Sequence, residues 1–284
     1  MLSEKKRKSI HNKIVKDLKG WLDRPQLDSF YSKIEGEIEK LSKKEDPKSI
    51  SAGLYKFTFM ATLHGQRGLC EVLAGNVDGW SDIEKSFDYR FWNLRVDSCM
   101  TTVMEASLLL VHALANNDVE KIEWLRNYQE RSFNDNVPNT WPFSSLGRFG
   151  LVLCEKARPR SDLESLDFSV KHAPSFAPYE GIFENWHGGD GLVLAIEIAC
   201  DYHLSQVLTE SGYPDFKISP YGLMPIEIIA LIRVRERLGL GTPLSEHPLL
   251  NPLLLEKPCH SCQVQSPSAD FSRLLEKARA MKMI

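Results

Sequence analysis

Residues 97–132 read DSCMTTVMEASLLLVHALANNDVEKIEWLRNYQERS, and the change of pattern midway through this stretch decides the fold class. The first half, up to Ala115, is apolar on nearly every side, the pattern of a helix buried all round. Asn116-Asn117 closes it, and Asn117 with Glu120 can cap a second helix, DVEKIEWLRNYQERSF. The stretch therefore predicts a helical hairpin over 97–132.

The same helical period recurs outward in both directions. Residues 3–22 and 26–43 read as two amphipathic helices divided at Arg24-Pro25, where the proline interrupts one helix and opens the next. Residues 49–74 predict a long, mostly apolar helix. Within it, His64-Gly65-Gln66-Arg67-Gly68 supplies glycines that admit a close neighbour, and Arg67 is a candidate buried partner for an acid. Ser81-Asp-Ile-Glu84 and Ser161-Asp-Leu-Glu164 have the spacing of capping boxes. Residues 134–143 read as a loop and 145–157 as a short apolar helix. A further helix is expected from about Gly222 to Gly239, led by Met224-Pro225, then a Leu-rich stretch at 248–255 and a last amphipathic helix at 271–283. Strand-like alternation is scarce. Roughly ten helices with short connections predict an all-α fold, an irregular multi-helix bundle or helical array without a strict internal repeat. The expected organisation is an N-terminal helical pair (1–48), a main domain (49–258) and a C-terminal CxxC loop with its helix (259–284), together one compact unit.

Hydrophobic residues make up 43% of the 284 positions and charged residues 26%, which excludes disorder of the whole chain and leaves material for a sizeable core. No run of ~18 uncharged apolar residues occurs, so no membrane span is expected. The first 22 residues are basic but lack the apolar core of a secretory signal, so the expected location is cytoplasmic. Cys70, Cys99, Cys154 and Cys200 stand alone in apolar surroundings and read as core. Cys259 and Cys262 form one CxxC, and a structural zinc site needs four ligands; a pair of reduced thiols on a loop is the simpler reading, with no metal and no cofactor expected.

The net charge of −3 hides an uneven distribution. Residues 1–48 carry 13 basic and 9 acidic side chains, whereas residues 71–201 carry 11 basic and 21 acidic, a net −10. An acidic middle disfavours nucleic acid, whose binding rests on neutralising phosphates, and suits a basic protein partner; it equally suits a solvated face kept for solubility.

Residues 182–203, IFENWHGGDGLVLAIEIACDYH, sharpen that choice. At 100° per residue from Asp190, Glu197 falls at about −20° and Asp201 at about 20°, while apolar residues fill most of the remaining circumference. His203 points about 140° away and leaves the stripe. Carboxylates on an otherwise buried helix need a reason. Ion pairs with neighbouring helices, a strip that receives a basic partner, and metal or acid/base chemistry all supply one. The preceding Trp186-His187-Gly188-Gly189 suits a tight turn with Asp190 in the N-cap region. Glu105 and His112 share a face of the buried helix and read as a satisfied polar pair. No serine occurs in a GxSxG setting and no cysteine has the surroundings of a nucleophile, so no catalytic residue is assigned.

Aromatic residues are interleaved with the acids of this region, among them Trp80, Phe87, Tyr89, Phe91, Trp124, Trp141 and Trp186. Acids around aromatic anchors make a protein-binding surface, although most such rings are core. The candidate partner contacts are Asp78, Trp80, Asp82, Glu84, Asp88, Glu184, Trp186, Asp190, Glu197 and Asp201. Across residues 50–255, the segments SCMTTVMEASLLLVHALANND, YGLMPIEIIALIRVRERLGL and SEHPLLNPLLLE resemble the bacterial immunity proteins of polymorphic toxin systems, closest to the immunity protein 49 family. The resemblance implies a non-enzymatic helical protein that binds and neutralises a cognate toxin, often a nuclease. Two other readings stay open: a helical metal-dependent hydrolase, in which His187, Asp190, Glu197, Asp201 or His203 meets His64 or His112 on one ion, and a helical regulatory scaffold.

Overall fold

The computed structural model describes residues 1–96, 103–134, 145–157, 177–209, 215–216, 218–256 and 268–284. Among these residues there are twelve helices and no strand: α1 (Glu4–Leu22), α2 (Leu27–Ser42), α3 (Pro47–Leu73), α4 (Gly79–Val96), α5 (Val103–Asn116), α6 (Val119–Asn134), α7 (Ser145–Lys156), α8 (Ala177–Glu184), α9 (Asp190–Val207), α10 (Ile226–Arg237), α11 (Pro252–Leu255) and α12 (Ala269–Ala280). The protein is an all-α multi-helix array, as the periodicity predicts. No described helix is long and apolar enough to cross a membrane. The Leu-rich stretch at 248–255 contributes only the single turn α11. The 161–164 capping box, Trp141, Cys99 and the CxxC pair lie outside the described residues.

The helices group into two compact units, one of Asn12–Thr102 with Pro252–Ile284, the other of Met1–His11 with Val103–Asn251. In the first, the small unit, α2 presents Leu27, Tyr31, Ile34 and Ile38 on one face, a stripe at helical spacing that buries against Leu54, Phe57 and Ala61 of α3 and Phe271 and Leu274 of α12. Asp46 caps α3 by accepting from the Ser49 N–H at 2.9 Å, with Pro47 at the first helical position. Gly68 of α3 and Gly79 of α4 let the two backbones touch: a Cβ on Gly68 would lie 2.4 Å from the Gly79 carbonyl oxygen, and one on Gly79 2.5 Å from that of Gly68. The expected close approach at the glycines of α3 is thus present. Two details differ. α4 begins at Gly79, so Ser81 lies inside the helix rather than at its cap, and Arg67 is exposed, pairing with Asp28 at 2.9 Å instead of with a buried acid.

The second, large unit is built on α5, whose Leu108, Leu109, Leu110 and Val111 are fully buried between α6, α7 and α10. The predicted α5–α6 hairpin forms, but its caps are shifted by one residue. Asn117 takes a positive φ of 56° that ends α5, and it is Asp118 that accepts from the Lys121 N–H at 3.2 Å. Gly181 brings α8 onto α9, where its missing Cβ would stand 3.2 Å from Ala195 Cβ. α10 is buried over nearly its whole length, from Ile226 to Val234. In the same unit His112 Nδ1 lies 3.1 Å from the Tyr221 hydroxyl, a core contact made with Tyr221 where the sequence suggested a pair with Glu105.

Candidate functional site

The acidic stripe of α9 exists, and its two ends stand in different surroundings. Towards the C-terminal end, Asp201 is buried and accepts four hydrogen bonds. Oδ2 takes the Leu2 N–H at 2.7 Å and Arg7 Nη2 at 3.0 Å, while Oδ1 takes Arg7 Nε at 2.7 Å and faces His247 Nε2 at 3.3 Å. Arg7 also reaches Glu197 Oε2 at 3.4 Å. Burial alone would push the Asp201 carboxyl up, but the Arg7 hydrogen bond, the Leu2 N–H and His247 together hold it below its ordinary value of 3.8. Asp201 is therefore buried, ion-paired structure and unavailable as a partner contact, whereas Glu197 is half-buried and shares Arg7 with it.

At the N-terminal end, Asp190 opens α9 and is exposed. Gly188 and Gly189 precede it with φ of 116° and 89°, a conformation only glycine adopts readily, and Gly189 rather than Asp190 takes the N-cap position. Glu180 and Glu184 are exposed on α8, and neither they nor Asp190 form an ion pair among the described residues. Two large apolar side chains stand exposed beside Asp190 on the outer face of α9, Leu194 (47%) and Ile198 (38%). Glu184 and Asp190 were legible in sequence. Glu180, Leu194 and Ile198 were not singled out, although the i,i+4 spacing of Glu180 and Glu184 and the 40° offset of Leu194 from Asp190 place them beside the stripe.

Trp186 is not an anchor for a partner. Its ring is buried, stacked 5.9 Å from Phe183 and covered by the Arg235 guanidinium at 5.4 Å. Arg235 is itself 1% exposed and donates to the carbonyls of Trp186 and Gly241 and, at 3.0 Å, to the Thr242 hydroxyl. It fastens the Trp-His-Gly-Gly turn from inside, a role no local sequence signal announces.

The other five candidates belong to the small unit. Asp78 is exposed before α4. Trp80 is 1% exposed and Glu84 is buried, so neither is available to a partner; in the order of α4, they fall on the face turned to the core beside Ile83 and Phe87. Asp82 is half-buried, with Oδ1 2.8 Å from His64 Nδ1 and 3.7 Å from Lys85 Nζ. Burial would raise this carboxyl, but the His64 hydrogen bond and charge, then Lys85, hold it below the ordinary range. Asp88 is half-buried and engaged in contacts of its own.

Three of the histidines named for a shared ion have other partners within their own units. His64 pairs with Asp82, His112 with Tyr221, and His203 turns inward, its Nδ1 2.8 Å from Glu227 Oε1 and its ring stacked 3.8 Å from Phe216. His203 and Glu227 are both completely buried. Among the described residues no three His, Cys, Asp or Glu side chains are grouped to hold a metal. Cys200 and Cys154 are buried, and burial pushes the Cys154 thiol up to about 12, the state of a packing residue rather than a nucleophile. No protein-family model matches the chain, and neither a curated protein nor a solved structure matches it.

Proposed function

We propose that the protein works by binding a basic protein partner, in the manner of an immunity protein that neutralises a cognate toxin, and that α8 with the first half of α9 forms the contact surface. One observation carries the reading: Glu180, Glu184 and Asp190 are exposed without ion pairs among the described residues, next to exposed Leu194 and Ile198. Unpaired carboxylates steer a basic surface into place, and the apolar pair gives it area to bury. A nuclease active site, basic because it grips phosphate, has the charge such a strip complements. The rest of the acidic stripe already shows the same recognition within the chain, since the basic segment around Arg7 lies on Glu197 and Asp201.

The test is co-expression with the product of the gene beside this one. The parent protein is expected to restore growth and to co-purify with that product. The E180K/E184K/D190K variant should keep its helical content while binding about tenfold or more weakly at low salt, with the difference narrowing as salt rises. Full protection and unchanged affinity in the triple variant would overturn the reading.

A further inference from the structure

The large unit holds a pocket of about 410 Å³ where the last turns of α5, α7 and α10 meet the first two turns of α6. Its size lies within the range of about 300–1,000 Å³ typical of small-molecule sites. α6 builds one wall: Leu125 and Gln129 of this helix are buried, while Val119, Ile122, Glu123 and Arg126, at i, i+3, i+4 and i+7, line the cavity. Leu114, Cys154 and Ala157 make the rest of the apolar lining, and Arg237 closes it from the end of α10.

Arg237 donates one hydrogen bond, to the Leu114 carbonyl at 2.7 Å, and has no carboxylate partner among the described residues. That bond already satisfies the carbonyl end of α5, and Arg237 keeps further N–H groups for another acceptor. Arg126 is held loosely, by Glu130 at 3.8 Å and by the Asn127 side-chain oxygen at 3.4 Å. The opening turn of α6 is already capped by Asp118, so the two arginines are the groups left for an anion. Two carboxylates oppose these cations: Glu130, paired with Arg126, and Glu123, which lines the pocket exposed and without an ion pair among the described residues. Burial, and then the like charge of Arg233, pull the Arg237 guanidinium down from its ordinary value against the opposite charge of Glu236.

We infer that this pocket is a binding site for a small amphiphilic anion, a carboxylate on an apolar body, with Arg237 and Arg126 taking the head group and Leu114, Val119 and Ile122 the apolar part. The site is independent of the α8–α9 surface and of any toxin. Isothermal titration of the full chain with octanoate, octylamine and octanol tests it, because the three probes share an apolar body and differ in the head group. Octanoate should bind saturably at one site per chain, and octanol and octylamine at least about tenfold more weakly. R237Q should weaken octanoate by about tenfold, while E123Q should strengthen it several-fold by removing the carboxylate that lines the pocket. E123Q alters an exposed side chain, so it decides the matter even where R237Q disturbs the fold. Equal binding of octanol and octanoate, no binding of any probe, or an unchanged affinity in E123Q would each overturn the inference.

Discussion

Asp190 and Asp201 sit on the same helix, on the same face, three turns apart, and the fold places them in opposite surroundings. Asp201 is buried under Arg7, Leu2 and His247, whereas Asp190 is exposed beside Leu194 with no ion pair among the described residues. The difference does not come from α9. It comes from a segment 194 positions away in the chain, which covers one end of the stripe and leaves the other open. A stripe of carboxylates is thus a direction on a helix; what each acid does depends on which element reaches it.

Removing the two carboxylates separately gives the widest separation. Asp201→Ala leaves the Arg7 guanidinium and His247 without their shared acceptor in a largely water-excluded place, and is expected to cost about 3 kcal/mol in urea denaturation. Asp190→Ala loses only a favourable position at the start of a helix and should cost about 0.5 kcal/mol. Equal costs would mean that the buried end of the stripe is held no more tightly than the open one, and the contrast between structure and surface would fall.

Acid separates the two ends by a second route. Burial, with the charge of Arg7, holds the His247 imidazole below its ordinary value of 6.5 against the pull of the Asp201 hydrogen bond, and Asp201 is held below 3.8. Both groups have folded pKa values depressed relative to the unfolded chain, so each contributes stability that is present above the unfolded value and lost as pH falls through the folded one. The first loss belongs to His247 and sets in below 6.5; the second belongs to Asp201 and sets in below 3.8. The urea midpoint should therefore drop between about pH 7.5 and about pH 5, and His247→Gln should flatten that drop while Asp190→Ala leaves it in place. A drop of the same size in the His247 variant would assign it to another group.

How far these features could be read in advance follows from the range of the interactions behind them. Helices were legible because an apolar stripe such as Leu27, Tyr31, Ile34 and Ile38 is written in adjacent turns, and Gly68 announced a close crossing because a missing side chain is local information. The grouping into two units was not, since it places Met1–His11 with Val103–Asn251 and joins Pro252–Ile284 to Asn12–Thr102. The α9 stripe was legible as geometry, but Arg7 as its partner was not. Trp80 and Trp186 misled because the acids around them suggest a wet surface, whereas both rings are buried; Trp186 is sealed by Arg235, 49 positions on. His203 and Glu227 show the same limit from within. Each looks like an isolated polar residue on an apolar helix, and only the fold sets them 2.8 Å apart.

The smallest expected effect bears most directly on the open end of the stripe. Glu184 is the last residue of α8, where the exposed carbonyls already carry partial negative charge and a carboxylate is misplaced, and Glu180 adds a like charge one turn earlier. A protein selected for stability alone gains nothing from an acid at this position. Glu184→Lys is therefore expected to raise stability by a few tenths of a kcal/mol, seen as a small upward shift of the thermal midpoint, while it weakens capture of a basic partner. That opposite movement of stability and binding is what a residue kept for recognition produces. A Glu184→Lys variant that loses stability would show that the carboxylate serves the fold after all, and the open end of the stripe would then join the buried one as structure.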